Sequence, residues 1–379
     1  MLYHKYKPLA ARVYCTGLAL LLVLSEVFSS NVQDTLPGFS RIMRLGLTGC
    51  AVLLLAGKII LLTGYEARWQ KVLIAVVLVY TAFSSWYGGD LWFFLAALIG
   101  LGAKDVDWET ALRVYLVTAV AGLALVQALH FATPLMPYKF YCRNWDFGYG
   151  HYNGFGARLV GMFFAWAWLR HDRLRAFDWA GLAALAIFTY KVPGSRGAFG
   201  GMAVLFVLFF VQRLLPRLFD SKIFYGLALA LPVALAVFSL YAGYVYNPEW
   251  PYERMALLLL SIALSGRFEI WHNVFWSAPL SLLGGLPTDG DEHHAIDNTF
   301  LAVPMNKGLL GAILVAAVFL LLLWRLAKKH RSTEVICLAA LTLYLFMENK
   351  PFLLSANPFL LMLPVVFFNA ETGKAQSES

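Results

Sequence analysis

Arginines and carboxylates gathered in one polar stretch, residues 246–298, are where this chain could do chemistry. The stretch holds Glu249, Glu253, Glu269, Asp289, Asp291, Glu292 and Asp297 beside Arg254 and Arg267. It carries Ser265-Gly266-Arg267-Phe268-Glu269-Ile270-Trp271 and ends in Asp297-Asn298. A guanidinium is a planar fork that matches phosphate oxygens two at a time. Ser265 reads as the N-cap of a short amphipathic helix, with Arg267 in its first turn. The helix dipole disfavours a cation there, so a compensating anion is expected: Glu269 or a substrate phosphate. A structural Arg–Glu pair is the plain alternative. The mixture suits a polar, phosphate-bearing substrate handled at a membrane surface.

Three other constellations carry polar groups. Pro193-Gly194-Ser195-Arg196-Gly197 is a tight turn that puts Arg196 at the mouth of a helix. Free N–H groups and the positive dipole end would assist Arg196 in holding an anion. The alternative is an interfacial arginine snorkelling to headgroups. In Tyr149-Gly150-His151-Tyr152-Asn153-Gly154-Phe155-Gly156, His151 and Asn153 could bind sugar hydroxyls. Helix packing explains the glycines at least as well. Arg158, one turn deeper, needs a partner inside a span: substrate phosphate, an acidic side chain or interfacial water. Glu26, within the first span, either pairs with another buried polar group or lines the site. Asp289-Gly290-Asp291-Glu292-His293-His294 looks metal-like, but no further ligand stands at helical i, i+4 spacing. No metal and no other cofactor is expected. That run is read as a solvated acidic loop, with an acid/base or sugar-hydroxyl role for residues such as His294 as the other reading.

The elements that must position these residues are membrane helices. The chain is 60% hydrophobic and 14% charged, with a mean hydropathy of +0.67. A soluble domain of this length would carry roughly 25% charged residues. Apolar runs of about 20 residues, enough to cross a hydrocarbon core, recur from end to end. Leu18–Leu24 lacks a small-x-small cleavage site after it and reads as a retained span. The expected fold is all-α: a polytopic membrane protein with about twelve transmembrane helices, forming a single domain over 1–379. The helices are expected near 13–31, 42–62, 72–87, 91–103, 111–131, 153–169, 176–191, 197–213, 223–245, 299–324, 333–348 and 356–369. Residues 246–298 form one large loop with short helices, and the polar tail after Phe368 reads as disordered. Twelve tryptophans and 18 tyrosines fit aromatic belts. Cys15, Cys50, Cys142 and Cys337 are scattered and read as packing residues.

Lys and Arg set the orientation. With the N-terminus inside, eighteen of the 30 fall in cytoplasmic segments, nine outside, and Lys58, Arg158 and Lys307 within spans. This twofold bias puts both termini in the cytoplasm and makes the net charge of +8 a topology signal. Nucleic-acid binding is not expected. The unusual polar loops, 132–152, 191–196 and 246–298, then all lie on the outer face. No GxxxxGK[ST] or Rossmann pattern occurs, and nucleotide donors are absent from that compartment. An outer-face enzyme needs a substrate already activated, and lipid-pyrophosphate sugars are the obvious class.

In this order the motifs resemble the O-antigen ligase/polymerase superfamily of bacterial membrane glycosyltransferases. Asn298 is followed by nine residues, Thr299–Lys307, and then Gly308-Leu309-Leu310-Gly311, a spacing similar to that family's Asn-x9-Gly-x-x-Gly pattern. Ser195-Arg196 resembles its Ser-x-Arg turn, Ser265-Gly266-Arg267 with Trp271 its Gly-Arg…Trp motif, and His151-Tyr152-Asn153 its His-Pro-Asn motif with Tyr for Pro. The resemblance covers about residues 145–325. Asp297 stands where the ligases carry His, which turns the reading toward capsule and exopolysaccharide repeat-unit polymerases. The resemblance implies transfer of undecaprenyl-pyrophosphate-linked glycan onto another lipid-linked repeat unit in the bacterial cytoplasmic membrane. Arg196 and Arg267 would stabilise the leaving pyrophosphate, and Asp297 or Glu269 would orient or deprotonate the acceptor hydroxyl. His151, Asn153, Arg158, Ser195, Trp271, His294, Asn298, Gly308 and Gly311 would line the substrate site. Partners would be that lipid-linked oligosaccharide, the bilayer, a flippase and a chain-length regulator. The alternatives are a ligase with a lipid or protein acceptor, and a transporter of lipid-linked oligosaccharides.

Overall fold

The computed structural model describes residues 6–65, 67–133, 135–136, 140–141, 144–249, 254–264, 266–277, 280–284 and 296–368. Ser265, Glu253, Cys142, the run Asp289–His294 and the tail after Phe368 lie outside the described residues. Among the described residues the fold is helical, apart from one antiparallel hairpin in which β1 (Phe140–Tyr141) pairs with β2 (Asn144–Trp145). The chain divides into two compact units. One comprises Met1–Leu78, Leu95–Leu214 and Phe352–Ser379, and the other Val79–Phe94 and Leu215–Pro351.

The main helices of the first unit are α1 (Lys7–Glu26), α2 (Pro37–Leu61), α3 (Arg68–Tyr87), α4 (Trp92–Gly102), α5 (Trp108–Ala132), α6 (Tyr152–Arg170), α7 (Ala176–Lys191) and α8 (Arg196–Leu214). The last two and a half turns of α3, from Val79, and the start of α4 belong to the second unit. Helix α1 packs on α2 and α5, and α8 on α6 and α7. Lipid tails are as apolar as leucine, so close backbone approach rather than water exclusion holds such helices together. Gly161 shows it: a Cβ there would strike the Ser355 carbonyl and the Tyr115 hydroxyl. Tyr115 donates its hydroxyl to the carbonyls of Leu354 and Ser355, both at 3.0 Å.

The second unit holds α9 (Lys222–Val245), α10 (Met255–Ala263), α11 (Arg267–Ser277), α12 (Thr299–Lys328) and α13 (Ser332–Met347). Helix α9 packs on α11, α12 and α13, around Phe268, Trp271, Leu301 and Met305. Side-chain caps set several starts: Asp107 accepts from Thr110 N at 2.9 Å, Ser221 from Phe224 N at 3.1 Å and Asn298 from Phe300 N at 2.8 Å.

Among the described residues, seven helices are long and apolar enough to cross a membrane: α1, α2, α3, α5, α8, α9 and α12. Helices α4 and α13 are apolar but shorter. The segment expected as a twelfth helix near 356–369 is a 3-10 turn, Pro358–Met362, followed by the five-residue helix Pro364–Phe368. A proline lacks the N–H and clashes with the preceding turn, so Pro358 and Pro364 start new pieces rather than continue one helix. The 246–298 segment contains α10 and α11, which turn by 110° on one another at the break before Arg267.

Candidate functional site

In the second unit, polar groups from three elements meet at the start of α11. Arg267 is 7% exposed. Its Nη2 donates to Glu348 Oε1 at 3.3 Å and lies 3.9 Å from Asp297 Oδ2. Glu348 follows the last residue of α13 and its side chain is 4% exposed, whereas that of Asp297 is 37% exposed. The anion that the sequence asks for beside Arg267 is thus supplied by the chain, from Glu348 and Asp297. Glu269 is exposed instead. Two positions along a helix is about 200° of rotation, which turns its side chain away from that of Arg267.

Three nitrogens of α11 lack a hydrogen-bond partner among the described residues: Arg267 Nη1, Trp271 Nε1 and His272 Nδ1. Arg267 and Trp271 share a face of α11 at i, i+4. Trp271 is fully buried against Phe268 and Phe346, with ring centroids at 4.8 and 5.4 Å. Asn298 caps α12 through its Oδ1 and donates Nδ2 to Ser239 Oγ at 2.9 Å. Thr299 Oγ1 donates to the Glu348 carbonyl at 2.8 Å. Residues 297–299 are therefore stapled to α9 and to the end of α13. The arrangement offers an oxygen ligand one buried guanidinium N–H and one half-buried carboxylate.

Gly308 shapes the backbone of α12. Helix α12 breaks at Gly308, where φ is 71° and ψ 178°. That backbone region is essentially open to glycine alone. A Cβ on Gly308 would strike Gly284 N and Leu282 O, because residues 281–284 lie against the break. Leu309 N donates to Ser281 O at 2.9 Å and Leu310 N to Leu282 O at 3.2 Å. The amides freed by the break are satisfied there. Lys307, 3% exposed, pairs with Asp90 at 3.0 Å.

In the first unit, the turn expected at 193–197 is present. Gly194 has a φ of 74°, and Arg196 is the exposed first residue of α8. Ser195 Oγ donates to Asn153 Oδ1 at 2.9 Å, and His151 Nδ1 caps α6 by accepting from Asn153 N at 3.1 Å. Gly156 makes this contact possible, since a Cβ there would collide with Ser195 Oγ. So Ser195, Asn153 and His151 come together, with Arg196 next in the chain. Asp146 accepts from Asn31 Nδ2 at 2.5 Å and from Gly150 N at 3.0 Å, which fixes the approach to α6.

Arg158 finds an acidic partner. Its Nε lies 3.7 Å from Glu26 Oε2, Nη2 donates to Ser25 O at 2.9 Å, and Nη1 to Gly154 O at 2.8 Å. The guanidinium also sits over the Tyr149 ring, 4.3 Å from its centroid. Tyr149 donates its hydroxyl to Glu26 Oε2 at 3.4 Å. Glu26 and Arg158 are each other's partners.

Glu348, Ser239 and Asp90 are absent from the sequence-derived site. Glu348 had a readable signal: it ends the apolar run of α13 in Glu348-Asn349-Lys350-Pro351, as Glu26 ends that of α1. His294 and Ser265 lie outside the described residues. Among the described residues no group of three His, Cys, Asp or Glu side chains could hold a metal ion.

Fold and polar clusters together define a membrane-embedded, multi-helix protein with buried charge pairs. No family model, no curated protein and no solved structure matches the chain.

Proposed function

We propose that this protein is a metal-independent glycosyltransferase of the repeat-unit polymerase type, acting on undecaprenyl-pyrophosphate-linked glycan at the outer face of a bacterial cytoplasmic membrane. The observation that carries the reading is the Arg267 cluster: a buried guanidinium with an unpartnered Nη1, set beside the half-exposed Asp297. The order of motifs, Ser195-Arg196, Gly266-Arg267 and Asn298…Gly308…Gly311, supports it through the resemblance to ligases and polymerases. In this reading about twelve segments cross or enter the membrane and both termini are cytoplasmic.

The reaction needs a hydroxyl of the acceptor sugar to attack the anomeric carbon of the donor. The C–O bond to pyrophosphate breaks, and undecaprenyl pyrophosphate leaves with the electron pair. Asp297 takes the hydroxyl proton. Arg267, through Nη1, stabilises the charge developing on the leaving group, and the family resemblance assigns Arg196 the same task. Glu348 acts through Arg267 by fixing its guanidinium. For His151, Asn153 and Ser195 the resemblance implies binding of sugar hydroxyls. Glu269, on the exposed face of α11, ranks behind Asp297 as the base. A ligase with a lipid or protein acceptor would use the same groups.

The test is chain-length profiling of lipid-linked glycan in a strain lacking the native gene and carrying Arg196→Ala, Arg267→Lys or Asp297→Asn. Each is expected to lower polymer formation by about 10²–10³ at unchanged membrane abundance, as removing a preorganised donor or a positioned base does. Arg254→Ala is the control, since Arg254 is exposed and donates only to Tyr241 Oη at 3.3 Å among its described contacts. Single repeat units should accumulate at the outer face. Long chains of normal length from all three variants would sink the reading, and units stranded inside would point to a transporter.

A further inference from the structure

Helix α10 is inside-out for a segment bathed in water. Its nine residues are Met-Ala-Leu-Leu-Leu-Leu-Ser-Ile-Ala, and its one polar side chain, Ser261, is 2% exposed. Leu259 and Ile262 are 59% and 62% exposed, and Met255 and Leu260 also face outward. A surface helix in water turns its apolar stripe inward and its polar face out. The stripe that α10 does bury, Leu257 and Ser261, packs into the core of the second unit.

Three further observations say what covers the outward face. Arg254, at the N-cap of α10, donates to Tyr241 Oη on α9, so the two helices are joined. Helix α9 is long and apolar enough to span, and its Val233, Val237 and Tyr241 are exposed. Tyr244 of α9 and Trp276 of α11 are both exposed and stack on each other with centroids 5.5 Å apart and planes at 28°. Exposed Tyr and Trp at the end of a span mark the headgroup level. Helix α11 exposes the polar side chains of Glu269 and Asn273.

We propose that α10 is a membrane-inserted, non-crossing segment whose Leu259–Ile262 face contacts lipid acyl chains. At about 1.5 Å per residue it is about 14 Å long, roughly half of a 30 Å hydrocarbon core. It dips in and the chain turns out again at Gly266, where φ is 79° and the amide donates to Ser261 O at 2.7 Å. Arg267 follows at once, so the Arg267 cluster is held at the membrane surface. Residues 246–298 are then not one aqueous loop. This inference rests on the membrane reading alone and stands whether or not the protein is a transferase.

The experiment is fluorescence quenching on the full-length protein in phospholipid vesicles. Cys15, Cys50, Cys142 and Cys337 are replaced by alanine, and one environment-sensitive label is placed through Leu259→Cys, Ile262→Cys, Asn273→Cys or Leu227→Cys. Leu227 is an exposed residue within α9 and reports that the protein is embedded. Nitroxide on the lipid acyl chain should quench at 259 and 262 severalfold more than at 273, and aqueous iodide should show the opposite order. Iodide quenching at 259 and 262 equal to that at 273 overturns the proposal. Protection from both quenchers overturns it as well, because a protein surface then covers the helix. Loss of lipid quenching at 227 would strike the membrane reading itself, separately from α10.

Discussion

At the residue scale, buried charge is matched by partners within reach. Arg158 has Glu26, Arg267 has Glu348, and Lys307 has Asp90. Breaking such a pair from one side leaves the other charge desolvated and uncompensated, which costs about 3–5 kcal/mol. Arg158→Ala is therefore expected to lower the Tm of the detergent-solubilised protein sharply, and Arg158→Met with Glu26→Leu to recover much of the loss. A single variant that melts like the wild type would remove the structural role of the pair. Chelation is a separate matter. Arginines can carry the leaving-group charge without a metal, so turnover is expected to survive EDTA. Loss of activity that Mg²⁺ or Mn²⁺ restores would assign a metal to the acidic cluster at 289–292. The cluster was half legible in the sequence. Arg267, Trp271, Asp297 and Asn298 stood out by type and spacing, and Arg158 by its place in a span. Glu26 stood out as well, but Glu348 did not, because it meets Arg267 through tertiary packing that no local spacing encodes. The same packing makes the expected Arg267–Glu269 pair an Arg267–Glu348 pair.

At the element scale, glycine positions divide sharply. Gly308 sits at φ 71° with the backbone of 282–284 against it, whereas Gly57, inside α2, has nothing within 4 Å of where a Cβ would be. Gly308→Ala should cost upward of about 2–3 kcal/mol, combining backbone strain with a collision against a neighbouring backbone that cannot step aside. Gly57→Ala should gain up to about 1 kcal/mol through helix propensity. Thermal unfolding of the two variants side by side measures this, and a neutral Gly308→Ala would mean that the break in α12 is not required. Apolar periodicity located most helices, but their ends moved. Helix α1 begins at Lys7 rather than near 13, because Lys7 and Arg12 ride on the helix instead of flanking it. Around Pro358 and Pro364 apolarity misled, since it reports burial and not backbone conformation. Inside 246–298 the acidic residues drew attention away from Met255–Ala263, an apolar run too short to read as a span.

At the scale of the whole molecule, orientation is decided by forces that helix packing does not contain. A helix bundle packs equally well either way up, and the choice comes from cationic residues retained on the cytoplasmic side. Here the cytoplasmic segments of the proposed topology hold twice as many Lys and Arg as the outer ones. Arg170, Arg173 and Arg175 lie between α6 and α7 or at their ends, and Lys328, Lys329 and Arg331 lie between α12 and α13 or at their ends. Single cysteines at positions 173, 290 and 329, in a background without Cys15, Cys50, Cys142 and Cys337, test the arrangement. A membrane-impermeant maleimide added to intact cells should label position 290 and spare 173 and 329 until the cells are opened. The reverse pattern would put the Arg267 cluster on the cytoplasmic side, where nucleotide-activated donors are available. The case for a lipid-pyrophosphate donor rests on their absence, so that outcome would end it while leaving the fold and its charge pairs as described.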